Sequence, residues 1–472
     1  MSTQTIVLTI VLAPVIGSLL LPILGRISRG LRNIIALALV AVSFAFSLKL
    51  IPFVMAGKTA VFTLNLPLGL DFMLYADCLA VFMACVSSFI GLIIILYSFD
   101  YISHHKNQNE YYFMVVLFLG SMMGIVYSTN LIFIYLFWEI TAIVCWRLIG
   151  FFRQENDVIR ADKAFLVTVF GALMMLVGFL ALYQQAGTFD LLAMKQKFGT
   201  SAVSNIAVAL ILFGIFSKSA TLPFHTWLPD AGVAPSPVTA LLHAAVLVKI
   251  GVYVFARLFV VTLNIEQFWH VVVPWIAAAS AIISAGAALV DTDIKRIIAY
   301  STISQIGFIF FGLAIGNRVG IAGGLLYILM HGIAKAGLFL IAGIVEHNTH
   351  TKDITKLGGL FKTMPYTAMA FLFCAFSVMG IPPFGGFFCK FLVFNGGIKS
   401  GELAVTLVFL AGAFLTILYL FRLFNMVFLG EQKFTVKEGS RTMVFSVVLL
   451  AALSLAGGIL VSFPLRFIEK CF

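Results

Sequence analysis

Charge is the first thing this sequence lacks. Only 10% of its 472 residues are Asp, Glu, Lys or Arg, while 62% are hydrophobic, and the mean hydropathy is +1.09. Soluble domains carry about a quarter charged residues, so a water-facing globule of this length is excluded. Basic runs are also missing. The net charge of +11 comes from Lys and Arg scattered through short loops, a topogenic pattern rather than a nucleic-acid surface. The six cysteines (Cys78, Cys85, Cys145, Cys374, Cys389, Cys471) form no CxxC pair. No spacing suits zinc, haem attachment or an iron–sulfur cluster. No cofactor, metal or redox centre is therefore expected, only free thiols packed in apolar surroundings. A nucleotide-binding P-loop is absent too. The N-terminus, MSTQT and then apolar from Ile6, has neither a basic start nor a small-residue cleavage site. It reads as a first spanning helix and not as a signal peptide.

What fills the chain is apolar sequence. Stretches near twenty residues recur from end to end, and each is long enough to cross a bilayer as a helix. The 48 Phe and 39 Gly fit lipid-facing bulk and close helix packing. The expected fold is all-α, a polytopic membrane protein of about fourteen transmembrane helices. Helices one to three fall in residues 1–105 and helices four to eight in 106–265. Helices nine to thirteen fall in 266–430 and helix fourteen in 431–472. Span seven starts near 205 and breaks around Leu222–Pro223, and span twelve starts near 366 and breaks over Gly380–Gly386. A lysine stands beside each break, Lys218 and Lys390. Interrupted helices at matching places in two halves point to a transport site; the alternative is two unrelated kinks. The spacing fits two five-helix units, spans four to eight and nine to thirteen.

Loops after odd-numbered spans hold most of the basic residues, among them Arg26, Arg29, Arg32, Lys295, Arg296, Lys352 and Lys437. The other side holds fewer, such as Lys58, Lys195 and Arg318. By the positive-inside rule the first side is cytoplasmic. Both termini are then expected on the outer face of a cell membrane.

The informative residues are ionisable groups deep in apolar spans: Glu139, Lys218, Lys249, Lys335 and Lys390. A charge at the bilayer centre costs about 2.5–3.5 kcal/mol, so five cost on the order of 15 kcal/mol. They are expected to face the interior, pair with each other or line water. Snorkelling near a helix end is the alternative for each lysine; it describes Lys49 and Arg147 better, since each sits near its span's end. Glu139 is the only carboxylate placed mid-membrane, and a buried lysine is its natural partner. A lysine whose acidic partner approaches and withdraws can take up and release a proton, so such a pair is either a switch or a packing staple. His331 and Lys335 are four apart and share a helix face. His243 precedes Lys249 by six residues, about 9 Å along an axis, a gap that needs bridging water. Histidine titrates near neutrality and suits a relay. The segment SATLPFHTWLPDAGVAPSPV cannot form one helix. Broken backbone is tolerated in a membrane only where protein or water satisfies it, so a proton inlet is expected there. His225 and Asp230 sit at its mouth and either feed protons inward or cap and hold the turn.

At these residues the sequence resembles a known family. FWEITAIV, KSATLPFHTWLPDAGVAPSPVTALLHAAVLVKIGVY, DIKRIIAYSTISQIGFI, HGIAKAGLFL and GIPPFGGFFCKF are similar to the antiporter-like proton-pumping subunits of respiratory complex I. The same family supplies membrane subunits of energy-converting hydrogenases, formate hydrogenlyase and Mrp-type sodium/proton antiporters. The resemblance implies fourteen helices with two inverted five-helix repeats and broken helices seven and twelve. It implies that Glu139 and Lys218 are the switch pair, that His243 with Lys249 and His331 with Lys335 form the mid-membrane relay, and that Lys390 leads to the outer exit. It also implies other membrane subunits as partners, with either a redox arm or small antiporter subunits, and H+ with or without Na+ as cargo. The HTWLPDA and LLHAAVLVK wording looks more like the complex I and hydrogenase pumps, which favours redox drive over an Mrp-type antiporter. Trp146 and Arg147 depart from the pattern, where an uncharged pair is expected; Arg147 either tunes Glu139 or anchors the helix end. Two other classes are weighed. An enzyme with its own redox centre lacks any cofactor motif, and a passive anchor is contradicted by the five buried charges. Moving one charge across 100 mV takes about 2.3 kcal/mol, so the chain is expected to draw on partners or a second gradient.

Overall fold

A computed structural model describes residues 2–67 and 70–472. The chain opens on α1 (Thr3–Ser18), α2 (Leu21–Ile27) and α3 (Arg29–Met55), followed by a small hairpin of β1 (Ala60–Leu64) and β2 (Phe72–Ala76). The strands are antiparallel, with Phe62 opposite Leu74. Next come α4 (Cys78–Tyr101), α5 (Gln108–Tyr127), α6 (Leu131–Ile149), α7 (Glu155–Ala186), the short α8 (Leu191–Phe198) and α9 (Asn205–Lys218). After α10 (Trp227–Asp230) and α11 (Ser236–Ala240), a π-helical turn over Leu241–Ala245 leads into α12 (Leu247–Phe255) and a second π-helical stretch, Ala256–Thr262. The rest is α13 (Gln267–Val290), α14 (Ile294–Ala314), α15 (Arg318–Thr349), α16 (Pro365–Met379), α17 (Gly385–Lys399), α18 (Leu403–Phe428), α19 (Arg441–Ile459) and α20 (Ser462–Ile468). Among the described residues the fold is therefore helical except for the hairpin, which lies in a loop.

Among the described residues eleven helical segments, counting Ser236–Thr262 as one, are long and apolar enough to cross a membrane, and twelve if the bent pair α1–α2 is one span. The expected fourteen is reached only if the elements built on the shorter apolar helices α9 and α16 are each counted as crossings as well. Both stop short for local reasons. α9 ends at Lys218, Ala220 takes φ 52° and Pro223 follows, and proline cannot continue the hydrogen-bond ladder. α16 ends on Gly380 at φ 83°, ahead of Pro382 and Pro383, a left-handed cap that glycine adopts without a Cβ penalty. One carbonyl at each break accepts from a side chain: Trp227 Nε1 donates to Ser217 O at 3.0 Å, and Lys390 Nζ to Met379 O at 3.3 Å. Broken backbone thus sits where protein meets it. At the second break the fit is tight. A Cβ on Gly386 would lie 1.8 Å from Ser377 O, so only glycine permits this approach of α17 to α16.

Burial follows the chain's role in the bundle. α14, α15 and the α11–α12 stretch are almost wholly enclosed, while α3, α7 and α19 lie at the periphery. Large apolar side chains such as Ile34, Leu166, Phe170, Ile206, Leu407 and Phe414 point outward, the composition of a lipid-facing surface. Helix starts are capped in the ordinary way: Asp77 accepts from Ala80 N at 2.9 Å, and Asp293 from Lys295 N at 2.8 Å.

Candidate functional site

The four lysines singled out in the apolar spans sit on the enclosed elements or at the breaks; a fifth buried lysine, Lys295, is paired with Glu346. Lys218 is the last residue of α9, Lys249 lies in the first turn of α12, Lys335 is mid-α15 and Lys390 is in the second turn of α17. Lys218, Lys249 and Lys335 are fully buried and Lys390 nearly so. Among the described residues none of them makes an ion pair with a carboxylate. Instead each ammonium is held by neutral groups.

Lys218 Nζ donates to Trp138 O at 3.2 Å and lies 5.3 Å from the centre of the Trp138 ring. Its expected partner, Glu139, is the next residue on α6. The two are not closed into an ion pair, and Glu139 Oε1 is buried with no hydrogen-bond partner among the described residues. The expected ion pair is thus not formed, and Lys218 rests against the residue that precedes Glu139 instead.

The central joint differs from the simplest same-helix expectation. His331 Nδ1 meets Lys249 Nζ at 2.5 Å, across from α15 to α12. Lys335, four residues along the same helix as His331, reaches Ser301 Oγ at 2.5 Å and Ile298 O at 3.1 Å instead. Sharing a helix face allows two side chains to meet, but the neighbouring helices supplied better partners for both. Lys249 Nζ also donates to His243 O at 3.3 Å. The π-helical turn over Leu241–Ala245 draws that carbonyl within reach. The His243 ring packs on Phe339 at 4.4 Å, and among the described residues neither of its nitrogens has a hydrogen-bond partner; His331 Nε2 is likewise free. Three imidazole nitrogens near Lys249 and Lys335 are therefore without a partner among the described residues.

Beyond Lys335 the structure adds residues that sequence reasoning passed over. Tyr419 OH donates to Ser301 Oγ at 2.7 Å, and Gln305 Nε2 lies 3.4 Å from Tyr419 OH and 3.2 Å from Thr416 Oγ1. Tyr327 OH donates to Gln305 Oε1 at 2.6 Å. This network is uncharged, so a search for buried charge does not find it. The cluster YSTISQ within an otherwise apolar span was the available signal. Lys390 Nζ lies 4.8 Å from the centre of the Phe308 ring on the same α14, an attractive placement for a cation. Removing the hydroxyl that joins Ser301 to Gln305, by Tyr419→Phe, should slow proton flux by about tenfold or more while costing only about 1 kcal/mol of stability. Dye-monitored flux in liposomes reads the first effect and a thermal unfolding midpoint the second.

The residues at the mouth of the broken helix divide. Asp230 is clamped by Lys163 at 2.8 Å and Arg296 at 2.8 Å, which ties α10 to α7 and α14. His225 Nδ1 is buried without a partner among the described residues. Of the two roles open to Asp230, holding the turn matches its contacts; His225 keeps a free nitrogen. Arg147 pairs with Glu110, and Arg153 joins the same carboxylate at 2.8 Å. It anchors its helix end and pairs with no part of Glu139. Lys49 is exposed, as a snorkelling residue should be. All six cysteines are free thiols, and among the described residues no cluster of His, Cys, Asp and Glu could hold a metal ion.

Lysines enclosed without a carboxylate partner among the described residues, two helix breaks and a lysine–histidine joint within a lipid-facing bundle describe a multi-pass membrane protein with a buried polar line. Residues 128–416 match the family described as NADH:quinone oxidoreductase/Mrp antiporter, transmembrane, and residues 64–112 match the N-terminus of chain 5 of NADH-ubiquinone oxidoreductase (complex I). The chain belongs to this family. Curated relatives include the A1 subunit of the Na(+)/H(+) antiporter from Staphylococcus haemolyticus and its counterpart from Staphylococcus aureus, each 33% identical over 95% of this chain. The chain spans 60% of the length of these relatives. Among solved structures, a chain of the Mrp complex from Dietzia sp. DQ12-45-1b aligns with a TM-score of 0.90 and 22% identity, covering 99% of this chain and 96% of that one. A chain of an archaeal respiratory membrane complex, the membrane-bound sulfane sulfur reductase, aligns with a TM-score of 0.91 at the same identity and coverage. Both likenesses are of fold.

Proposed function

We propose that this chain is the proton-carrying subunit of a multi-subunit complex in the cell membrane. The observation that supports this most is the Lys249–His331 contact at 2.5 Å. It joins residues 106–265 to residues 266–430, the two units read as inverted repeats, and so makes one line of their buried groups. A proton enters near the broken helix by His225 and passes Glu139 and Lys218. It crosses by His243, Lys249, His331 and Lys335, then leaves past Lys390 on the outer face, the side of both termini. Separation and closure of Glu139 and Lys218 gates each transfer. The line sets four buried lysines against one half-buried carboxylate, a balance that disfavours a metal cation and supports H+ as its cargo, with any Na+ moving elsewhere in the complex.

The named activity of the curated relatives favours a counter-gradient of Na+ as the drive, with small antiporter subunits as partners. The second reading, a redox arm as driver, rests on the HTWLPDA and LLHAAVLVK wording in this sequence. The test is reconstitution, with whatever co-purifies, into liposomes holding a pH dye. Lys218→Ala should lower proton flux at least tenfold. Flux that follows an imposed Na+ gradient without redox turnover supports the antiporter reading, and flux that requires turnover supports the redox one. Unchanged flux of both kinds in Lys218→Ala would make the buried line a structural feature and overturn the proposal.

A further inference from the structure

A second polar site lies away from the relay. Where α2 meets α3 and α4 turns into α5, a cavity of about 700 Å³ opens on the basic face of the molecule. Its lining includes Arg29, Arg32, His104, Lys106, Asn109 and Glu110. Glu110 is the one carboxylate among them, and it is already engaged by Arg147 and Arg153. The cations lining the cavity are left without a counter-charge among the described residues.

Arg32 makes this a built pocket and more than a scatter of surface lysines. It is 2% exposed, yet its guanidinium meets only neutral groups: Asn109 Oδ1 at 2.5 Å, Gln108 Oε1 at 3.0 Å, Asn33 Oδ1 at 2.8 Å and the Tyr112 ring at 4.6 Å. Those contacts fix its position without cancelling its charge. Gly25 leaves room for the arrangement, since a Cβ there would meet Asn109 Oδ1 at 2.0 Å and displace that side chain. A buried charge is costly unless it is paired, so the pocket is preset for an anion.

The rim says which kind. Gly25 and Arg29 stand among Ile23, Ile27, Leu31 and Ile34, all exposed on α2 and α3, the surface that faces acyl chains in a spanning protein. We propose that this cavity binds the phosphate-bearing headgroup of an acidic phospholipid, whose tails lie along α2 and α3. Arg29, Arg32 and Lys106 contact the phosphate, and the exposed Asn107 is placed for a headgroup hydroxyl. Basic pockets beside transmembrane helices recognise anionic lipid in this way. A soluble phosphate shares the headgroup chemistry but would gain nothing from the apolar rim.

The test uses the full chain in a neutral detergent, with native mass spectrometry to count bound molecules. The probes are phosphatidylglycerol, phosphatidylcholine and glycerol 3-phosphate. The variant is Arg29→Gln with Lys106→Gln; both side chains are exposed and neither belongs to the relay. One saturable phosphatidylglycerol is expected, bound at least tenfold tighter than phosphatidylcholine. The double variant should weaken it by about thirtyfold, since each basic residue near the surface contributes roughly a factor of five. Arg29→Gln alone, a safer substitution, should show part of the loss, and an unchanged unfolding midpoint establishes that the variants fold. Equal binding of the two lipids, or undiminished phosphatidylglycerol binding in the variants, overturns the proposal. So does glycerol 3-phosphate binding as tightly as the lipid, which would make the ligand a soluble anion. In the lipid-stripped complex with its co-purified subunits, Lys106 should react with an amine reagent and be protected by added phosphatidylglycerol. Protection without lipid would mean that a neighbouring protein covers the pocket, and would likewise overturn it.

Discussion

Lys249→Arg should abolish proton flux in reconstituted liposomes, a fall of at least about a hundredfold, while leaving the chain folded. Lys249 is fully buried and holds both His331 Nδ1 and His243 O. Arginine keeps the positive charge and the donors but does not release its proton in a protein. The substitution therefore preserves the electrostatics of the joint and removes only its capacity to pass a proton. A positioned acid–base group contributes about 10²–10⁴ to a proton transfer, which sets the size of the loss. Arginine is also larger, and overpacking costs about 1–3 kcal/mol, so Lys249→Met serves as the companion that is smaller and equally unable to carry a proton. Flux above a tenth of the native value in a folded Lys249→Arg chain would take Lys249 out of the pathway.

The second large effect concerns stability. Asp77→Asn should destabilise the chain by about 3–5 kcal/mol, the cost of leaving one partner of a buried ion pair unpaired. Arg257 Nη2 and Nη1 bind Asp77 Oδ1 and Oδ2 at 2.8 and 2.5 Å, and the arginine side chain is only 5% exposed. Arg257 Nε also donates to Tyr253 OH at 2.9 Å. The fork fixes the start of α4 against the π-helical stretch that ends the α11–α12 span. Asparagine retains the cap on Ala80 N, so the loss measures the charge pair; Asp77→Ala should lose about 1 kcal/mol more with the cap. Thermal unfolding of the detergent-solubilised chain reads both. Replacing the two partners together, as Asp77→Leu with Arg257→Met, should recover much of the loss, because no isolated buried charge remains. A single Asp77→Asn variant as stable as the native chain would show that water reaches Arg257.

The relay itself makes a point about buried charge. Lys218, Lys335 and Lys390 are held by backbone carbonyls, a hydroxyl and aromatic rings. Neutral partners of this kind steady an ammonium without locking it in the charged form, as a carboxylate would. Glu139, the residue next to the one that holds Lys218, stays out of an ion pair among the described residues. The clamped ions lie elsewhere: Asp230 between Lys163 and Arg296, and Lys295 against Glu346 at 2.6 Å. Charges that hold the bundle together are paired, and those assigned to transfer are not.

The sequence by itself determined that the chain spans a membrane, because apolar length and scarce charge are properties of composition and need no partner. It determined both helix breaks, since Pro223, Gly380 and Pro382 act on their own backbone. It also singled out Glu139 and the four lysines, because a charge inside an apolar run is visible in one dimension. Only the tertiary structure decided which groups meet. His331 chose Lys249, 82 residues away, over Lys335 one turn along; Tyr419 found Ser301 across 118 residues, and Arg257 found Asp77 across 180. Helical periodicity tells which side chains share a face, but the contacts of that face depend on which helices pack against it and at what depth. That is settled by burial summed over the whole bundle, and no local stretch of the chain carries it.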